Sequence, residues 1–339
     1  MVTIRDVAAR AGVSSTTVSH VINKTRPVSD DLRTRVEAAM AELGFQPNAL
    51  ARSLRRKRTH TLGMIVPDSA NPFFAEVGRG IEDTTFASGY SIILCNSDGD
   101  RNRELLYLDL LVQKQVDGVL LVPTGDHAEL AAHLRTRNIP VVVIDRDVSD
   151  APIDRAYIDN VAGGCVATRH LLDLGHRRIG YIGGPPHLSP VPGRGAGYLR
   201  ALEEAGIPID DRLIVAGSFQ DVGGYEGTQS LLVLPDRPTA IFAGNDLMAI
   251  GALAAARDAK IAVPAELSIV GFDDIHLAGY INPPLTTIAQ PKYELGVIAA
   301  ELLLARLSDP DLPPQRRLLQ AHLVVRHSTA APHVVPGAG

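Results

Sequence analysis

Residues 3–23 read TIRDVAARAGVSSTTVSHVIN, and this stretch decides the architecture of the N-terminus. Thr3 is placed to cap a helix, and Asp6 three residues on completes a capping-box pattern. Ile4, Val7, Ala8 and Ala11 then recur at helical spacing and fall on one face. Gly12 suits the left-handed conformation that ends a helix. Ser14 caps a second helix, where Val18, Val21 and Ile22 face inward and Thr16, His20 and Asn23 face the opposite way. Ser29 opens a third, with Asp30 and Asp31 favourable in its first turn and Leu32, Val36, Ala39 and Leu43 along its core side. Gly44 ends it. Three short helices with a glycine turn between the first two describe a helix-turn-helix. A plain helical bundle with a polar face would share the apolar pattern. Ser15, Thr16 and His20, however, are polar groups of a size that hydrogen-bonds base edges in a major groove. Ser14, Thr17, Ser19 and Asn23 suit phosphate contacts, which position without specifying.

Charge is distributed to match. The whole chain of 339 residues carries a net charge of −5. Residues 1–58 nevertheless hold eleven Lys and Arg against five Asp and Glu, so a basic head is joined to an acidic body. Pro47 blocks extension of the third helix, and Asn48 caps a short new one. That segment, NALARSLRRKR, places Leu50 and Leu54 among five basic residues. A water-facing helix has little use for leucines. A leucine wedge in a minor groove, flanked by arginines on phosphates, accounts for both; a basic linker is the plainer alternative.

From residue 61 onward short apolar runs alternate with amphipathic segments. TLGMIV, YSIILC, DGVLLV, PVVVID, RRIGYIG, TAIFAG and ELSIVGF read as strands. Residues near 73–88, 102–115 and 127–137 read as helices between the first of them. Buried apolar strands with helical crossovers predict parallel α/β sheets, and there are about twice the units one sheet needs. Two similar lobes with a cleft at the carboxyl ends of their strands follow. The rim so defined collects Asn71, Phe73, Phe74, Asp145, Arg146, Arg194, Phe219, Asn245, Asp246, Asp273, Asp274 and Gln290. Taken singly, these are helix caps, core aromatics or surface pairs. Taken together, they offer acceptors, rigid arginine donors and flat apolar walls, which a sugar's hydroxyls and C–H faces require.

The stretches TIRDVAARAGVSSTTVSHVINKTRPVS and ELGFQPNALARSL closely resemble the DNA-binding region of the LacI/GalR repressor family. NPFF, IDR, R-x-x-GY, the phenylalanine before GGY, NDLMA, GFDD and TIAQP resemble motifs of its effector-binding body, which has the periplasmic sugar-binding fold. The resemblance spans about residues 3–327. It implies that Leu54 intercalates, with Ala51 and Arg55 beside it in the groove. His20, where many members carry Arg, resembles the purine- and ribose-responsive branch. The resemblance further implies D-ribose as effector, contacted by Asn71, Phe73, Phe74, Asp145, Arg146, Arg194, Phe219, Asn245, Asp273 and Gln290. An asparagine that the branch places near LLVPT is Val122 in this chain.

The expected organisation is a helix-turn-helix over 1–46, a hinge helix and linker over 47–60, a two-lobed effector and dimerisation body over 61–330, and a disordered tail over 331–339. The expected partners are double-stranded operator DNA, a small sugar and a second copy of the chain, because the tail HVVPGAG lacks a tetramer-forming heptad repeat. Purines or other pentoses are alternative effectors. MVTIRDVAAR has no signal-peptide core, and no apolar run spans a bilayer, so a cytoplasmic protein without a membrane partner is expected rather than a transporter's sugar-binding component. No metal, cofactor or catalytic residue is expected. No G-x-G-x-x-G follows the first strand, GYIGGPP ends in prolines that cannot donate to phosphate, and His170, His176 and His276 are scattered. Cys95 and Cys165 read as buried thiols.

Overall fold

The computed structural model describes residues 2–23, 26–45, 58–124, 139–146, 152–185 and 191–332. The chain divides into two compact units, Met1–Thr59 and His60–Gly339. Ala51, Leu54 and Arg55 of the expected hinge lie outside the described residues, as do the helix expected near 127–137 and residues 333–339 of the tail.

The first unit holds α1 (Ile4–Ala11), α2 (Ser15–Asn23) and α3 (Asp30–Glu42). The capping box forms: the Thr3 amide donates to Asp6 Oδ2 at 2.8 Å, and the Asp6 amide donates to Thr3 Oγ1 at 3.4 Å. Gly12 leaves α1 at φ +65°. Its Cβ, if present, would lie 2.8 Å from Arg35 Nη2, which donates to the Ala11 carbonyl at 2.7 Å and staples α3 to the turn. Val7, Ala8, Ala11, Val18, Val36 and Ala39 make the core, and Met40 packs against it in place of the expected Leu32.

The second unit builds two six-stranded sheets. Lobe 1 contains β1 (Thr61–Val66), β2 (Ser91–Asn96), β3 (Gly118–Leu121), β4 (Val141–Asp145), β5 (Asp154–Ile158) and β11 (Arg316–Leu319), in the spatial order β11-β5-β4-β3-β1-β2. Lobe 2 contains β6 (Ile179–Gly183), β7 (Ile214–Ala216), β8 (Ala240–Ala243), β9 (Ser268–Asp273), β10 (Thr286–Ala289) and β12 (His322–Val324), in the order β12-β10-β9-β8-β6-β7. All neighbours are parallel except β10 and β12. The central strands are buried on both faces, as apolar runs between covering helices require. Both lobes therefore wind alike, and in each the order reverses beside the first strand, where α/β sheets open a ligand crevice.

The helices of lobe 1 are α4 (Pro72–Ala87), α5 (Arg101–Gln113) and α10 (Lys292–Ser308); those of lobe 2 are α6 (Asn160–Asp173), α7 (Val191–Glu204), α8 (Asp221–Leu232) and α9 (Asp246–Asp258). The chain thus passes between lobes after β5, after β10 and after β11. Helices α4 and α10 touch backbone to backbone. A Cβ on Gly80 would sit 2.1 Å from the Tyr293 carbonyl, and one on Gly296 would sit 2.1 Å from the Val77 carbonyl. Cys95 and Cys165 are buried and free. No helix among the described residues is long and apolar enough to cross a membrane.

Candidate functional site

Nine of the ten rim residues singled out from the effector motifs line one cavity of about 200 Å³ between the lobes. Lobe 1 contributes Asn71, Phe73, Phe74, Asp145 and Arg146; lobe 2 contributes Arg194, Phe219, Asn245 and Asp273. Gln290 stands one bond behind, donating from Nε2 to Asp273 Oδ1 at 2.7 Å. Val122 is buried in the apolar core and does not line the cavity.

Each group is positioned by a local device. Asn71 caps α4, its Oδ1 accepting from the Phe73 amide at 3.0 Å, and so aims the following aromatics. The Phe73 and Phe74 rings meet edge to face at 5.0 Å. Asn245 caps α9 through Oδ1 and donates from Nδ2 to the Phe219 carbonyl at 2.9 Å. Helices α6 and α7 approach so closely that a Cβ on Gly164 would lie 2.3 Å from the Arg194 carbonyl. That contact seats Arg194, which lies 3.8 Å over the Phe272 ring and donates from Nε to Asn160 Oδ1 at 2.9 Å. Four non-glycine cavity residues, Asp98, Asp145, Phe219 and Asp273, hold positive φ values. Such conformations cost energy in non-glycine residues, and they gather where side chains must be aimed at a ligand.

The deep end is polar and buried. Asp145 and Arg194 are each 3% exposed. Arg194 Nη2 lies 3.7 Å from Asp273 Oδ1. Arg146 Nη1 donates to the Pro123 carbonyl. Asp145 Oδ1, Arg146 Nε and Gln290 Oε1 are buried without a hydrogen-bond partner. Orphaned buried polar atoms are costly, and three around one cavity describe a place waiting for donors and acceptors. Burial pushes the Asp145 carboxyl above its usual range, against the pull of Arg194 and Arg146. Burial likewise pushes Asp273 up to about 6, with Asp145 adding and Arg194, Gln290 and Lys292 opposing. Two carboxyls thus face two guanidiniums at the deep end of the cavity.

Several contributors lie beyond the residues singled out. Asp68 and Gln220 line the mouth, and Gln220 Nε2 donates to Asp68 Oδ2 at 2.7 Å from lobe 2 to lobe 1. Glu104 of α5 is buried behind Arg146, its Oε2 accepting from the Thr124 amide at 2.6 Å. Asp246, next to the cap, faces away from the cavity and accepts from Thr287 Oγ1 at 2.6 Å and the Ile275 amide at 2.8 Å.

In the first unit Ser15 and Thr16 are exposed on α2, and His20 is half-buried one turn on. Ser14 serves as the cap of α2, its Oγ accepting from the Thr17 amide at 3.0 Å. Asn23 Nδ2 donates to the Ser19 carbonyl at 2.8 Å. Among the described residues no cluster of three or more His, Cys, Asp or Glu could hold a metal ion.

The family model for bacterial regulatory proteins of the lacI family matches residues 3–48, and that for a periplasmic binding protein-like domain matches residues 168–329. The ribose operon repressor of Escherichia coli K12 is 44% identical over 329 residues, covering 97% of this chain and 100% of its own. The HTH-type transcriptional repressor PurR of Proteus mirabilis is 44% identical over 336 residues, covering 97% of each chain. The lac repressor dimer bound to operator and the anti-inducer ONPF superposes with a TM-score of 0.88 at 30% identity, over 97% of this chain and 99% of that one. A LacI family regulator from Enterococcus faecium with bound ribose superposes with a TM-score of 0.71 at 34% identity, over 80% of this chain and 99% of that one. A helix-turn-helix head, a two-lobed parallel α/β body and full-length similarity to repressors lead to one conclusion: the chain belongs to the LacI family of DNA-binding transcriptional repressors.

Proposed function

We propose that this repressor controls a sugar-utilisation operon, binds a palindromic operator as a homodimer, and is released by D-ribose in the cavity between its lobes. The observation that carries the sugar is the orphaned Asp145 Oδ1 set between two arginines and three phenylalanines. It requires a donor, the arginines require acceptors, and a hydroxyl supplies either. The cavity is smaller than the ~300–1,000 Å³ of sites for drug-sized ligands, which favours a monosaccharide over anything larger. The pairing of carboxyls with guanidiniums at its deep end favours an uncharged ligand. Similarity to the ribose operon repressor and to a ribose-bound regulator supports the choice of pentose. Equal identity to PurR makes purine bases the competing effectors.

On the DNA side, Ser15, Thr16 and His20 read base edges, while Ser14, Thr17, Ser19 and Asn23 position the helix on phosphates. The hinge over 47–60 inserts Leu54 into the minor groove, with Ala51 and Arg55 beside it. Apolar side chains left open on lobe 1 support a dimer: Phe86 of α4 is 78% exposed and Leu94 of the edge strand β2 is 56% exposed. Sugar and operator are linked through the dimer, because ligand closure of the lobes changes the spacing of the two hinges.

Operator titration with and without D-ribose tests the proposal. The sugar is expected to weaken specific binding; unchanged affinity would sink the ribose switch, and a response to hypoxanthine instead would move the protein to the purine branch. Leu54→Ala is expected to weaken operator binding by about 10-fold or more while non-specific DNA binding changes little. Equal losses on both DNAs would remove the wedge.

Acid should weaken the sugar complex. A hydroxyl donates to ionised Asp273, whose pKa lies near 6, so affinity falls as pH drops from 7 to 5 and is flat above 7. The sign for the ligand-free fold is opposite. Asp273 binds its proton more tightly when folded than when unfolded, so protonation between about pH 6 and 4 relieves a burial cost and adds stability. Calorimetric titration across this range reads the first effect and thermal melting without sugar reads the second.

A further inference from the structure

Lys292 opens α10 in lobe 1, yet its side chain is only 6% exposed. Lysine is rarely buried without partners that accept from its three donors. Here both hydrogen-bond partners belong to the other lobe. Nζ donates to the Asp273 carbonyl at 2.9 Å and to the Asp274 carbonyl at 2.6 Å, and stands 3.6 Å from Glu76 Oε2 on α4. Asp273 and Asp274 are consecutive left-handed residues, with φ of +118° and +53°. Two such residues in succession are unfavourable for side-chain-bearing L-amino acids, so something must hold the turn. The ammonium is placed to do so, because both carbonyl oxygens of the strained turn converge on it.

We propose that Lys292 is a positioning residue for the effector cavity: carried by the α4–α10 pair of lobe 1, it clips the lobe-2 turn that presents the Asp273 carboxylate. The inference rests on the reading of this cavity as the effector site. The clip has a firm base, since α4 and α10 are locked by the Gly80 and Gly296 backbone contacts. It also acts from behind. Lys292 does not line the cavity, and its bonds go to main-chain oxygens, leaving the Asp273 side chain for Gln290, Arg194 and the ligand. The charged groups around Asp273 are Arg194 from α7, Asp145 from β4, Lys292 from α10 and Asp246 from α9. The clip joins the lobes directly beside the passage from β10 to α10. It therefore lies at a crossing between the lobes, and the Gln220–Asp68 bond joins them at the mouth.

The test uses the full chain with Lys292→Met, which keeps length and removes the charge, and Glu76→Gln, a half-exposed position that puts folding at little risk. Two measurements are made: hydrogen–deuterium exchange of the peptide covering residues 268–276 without ligand, and calorimetric titration with D-ribose from pH 5 to 8. For Lys292→Met, exchange is expected to quicken about 10-fold and the Kd to rise about 10-fold, with the pH midpoint of binding moved upward. Glu76→Gln should raise exchange and Kd by about 2- to 3-fold but, because it removes an anion rather than a cation, move the pH midpoint slightly downward. A lysine that merely stabilises the fold would lower the melting temperature and leave the pH midpoint where it was. Unchanged exchange in both variants overturns the clip; faster exchange with an unchanged Kd and midpoint overturns its positioning role. If the wild-type protein gives no heat with D-ribose, the sugar assignment fails by itself, and the exchange measurement decides the clip.

Discussion

Replacing Arg194 with alanine is expected to raise the Kd for D-ribose by about 100-fold or more, while the ligand-free protein keeps its operator affinity. Arg194 is buried, lies 3.7 Å from Asp273 and 3.8 Å over Phe272, and shares its Nε with Asn160. Alanine would leave Asp145 and Asp273 close together in a buried cavity, offset by Arg146 and by Lys292 behind Asp273. Removing one member of a buried charge pair typically costs ~3–5 kcal/mol, most of it from the charge left behind. Both carboxyls would then take protons more readily, and the acceptors a sugar needs would be lost. The helix-turn-helix belongs to the other compact unit and keeps its own core, so operator binding should survive and become insensitive to sugar. Operator titration of the variant at rising D-ribose checks this. Retained induction at wild-type sugar concentrations would show that Arg194 is not part of the effector site.

The second large effect concerns the fold. Gly80→Val is expected to destabilise the two-lobed unit by ~3 kcal/mol or more, above the usual cost of overpacking, because the obstacle is main chain. The added Cβ would sit 2.1 Å from the Tyr293 carbonyl, and neither helix can yield without parting. Separation of α4 from α10 would also disturb Phe73 and Phe74, which α4 carries, and Lys292, which begins α10. Urea unfolding followed by circular dichroism should show a lower midpoint for the body. A midpoint within experimental scatter of wild type would mean that the helices can repack around a larger residue.

Much of the cavity is legible in the sequence because α/β architecture ties function to position. Asp145–Arg146 close the run PVVVID, Asp273 closes SIVGF, and Asn245 follows TAIFAG, so each is marked by the apolar strand before it. The helix-turn-helix is legible for a similar reason: Thr3, Asp6 and Gly12 carry its boundaries in their own chemistry. What escapes is whatever depends on distant partners. β5 reads DRAYI and lacks an apolar run. It is a buried strand between β4 and β11, and the charge of its Asp154 is met by Arg306, about 150 residues on, at 2.9 Å. Gln220 and Asp68 are separated by 152 positions, and no local pattern joins them. Gln290 is singled out as an effector contact, yet it stands behind the lining and bonds Asp273, because sequence order does not tell a residue that lines a cavity from one that braces the lining. Lys292 looks like an ordinary first-turn lysine until its side chain is seen crossing to the other lobe.

The three passages of the chain between lobes bear on how the protein is made. Lobe 1 is written in two separated parts, and its edge strand β11 comes after all the helices. Lobe 2 likewise waits for β12 to cover β10. During synthesis neither sheet is complete until its last strand has left the ribosome, and the two finish within a few residues of each other. Body maturation is therefore nearly simultaneous in both lobes, whereas the helix-turn-helix, contiguous and first to emerge, is free to fold on its own. A nascent chain can thus have its N-terminal unit folded while both sheets of the body still lack their last strands.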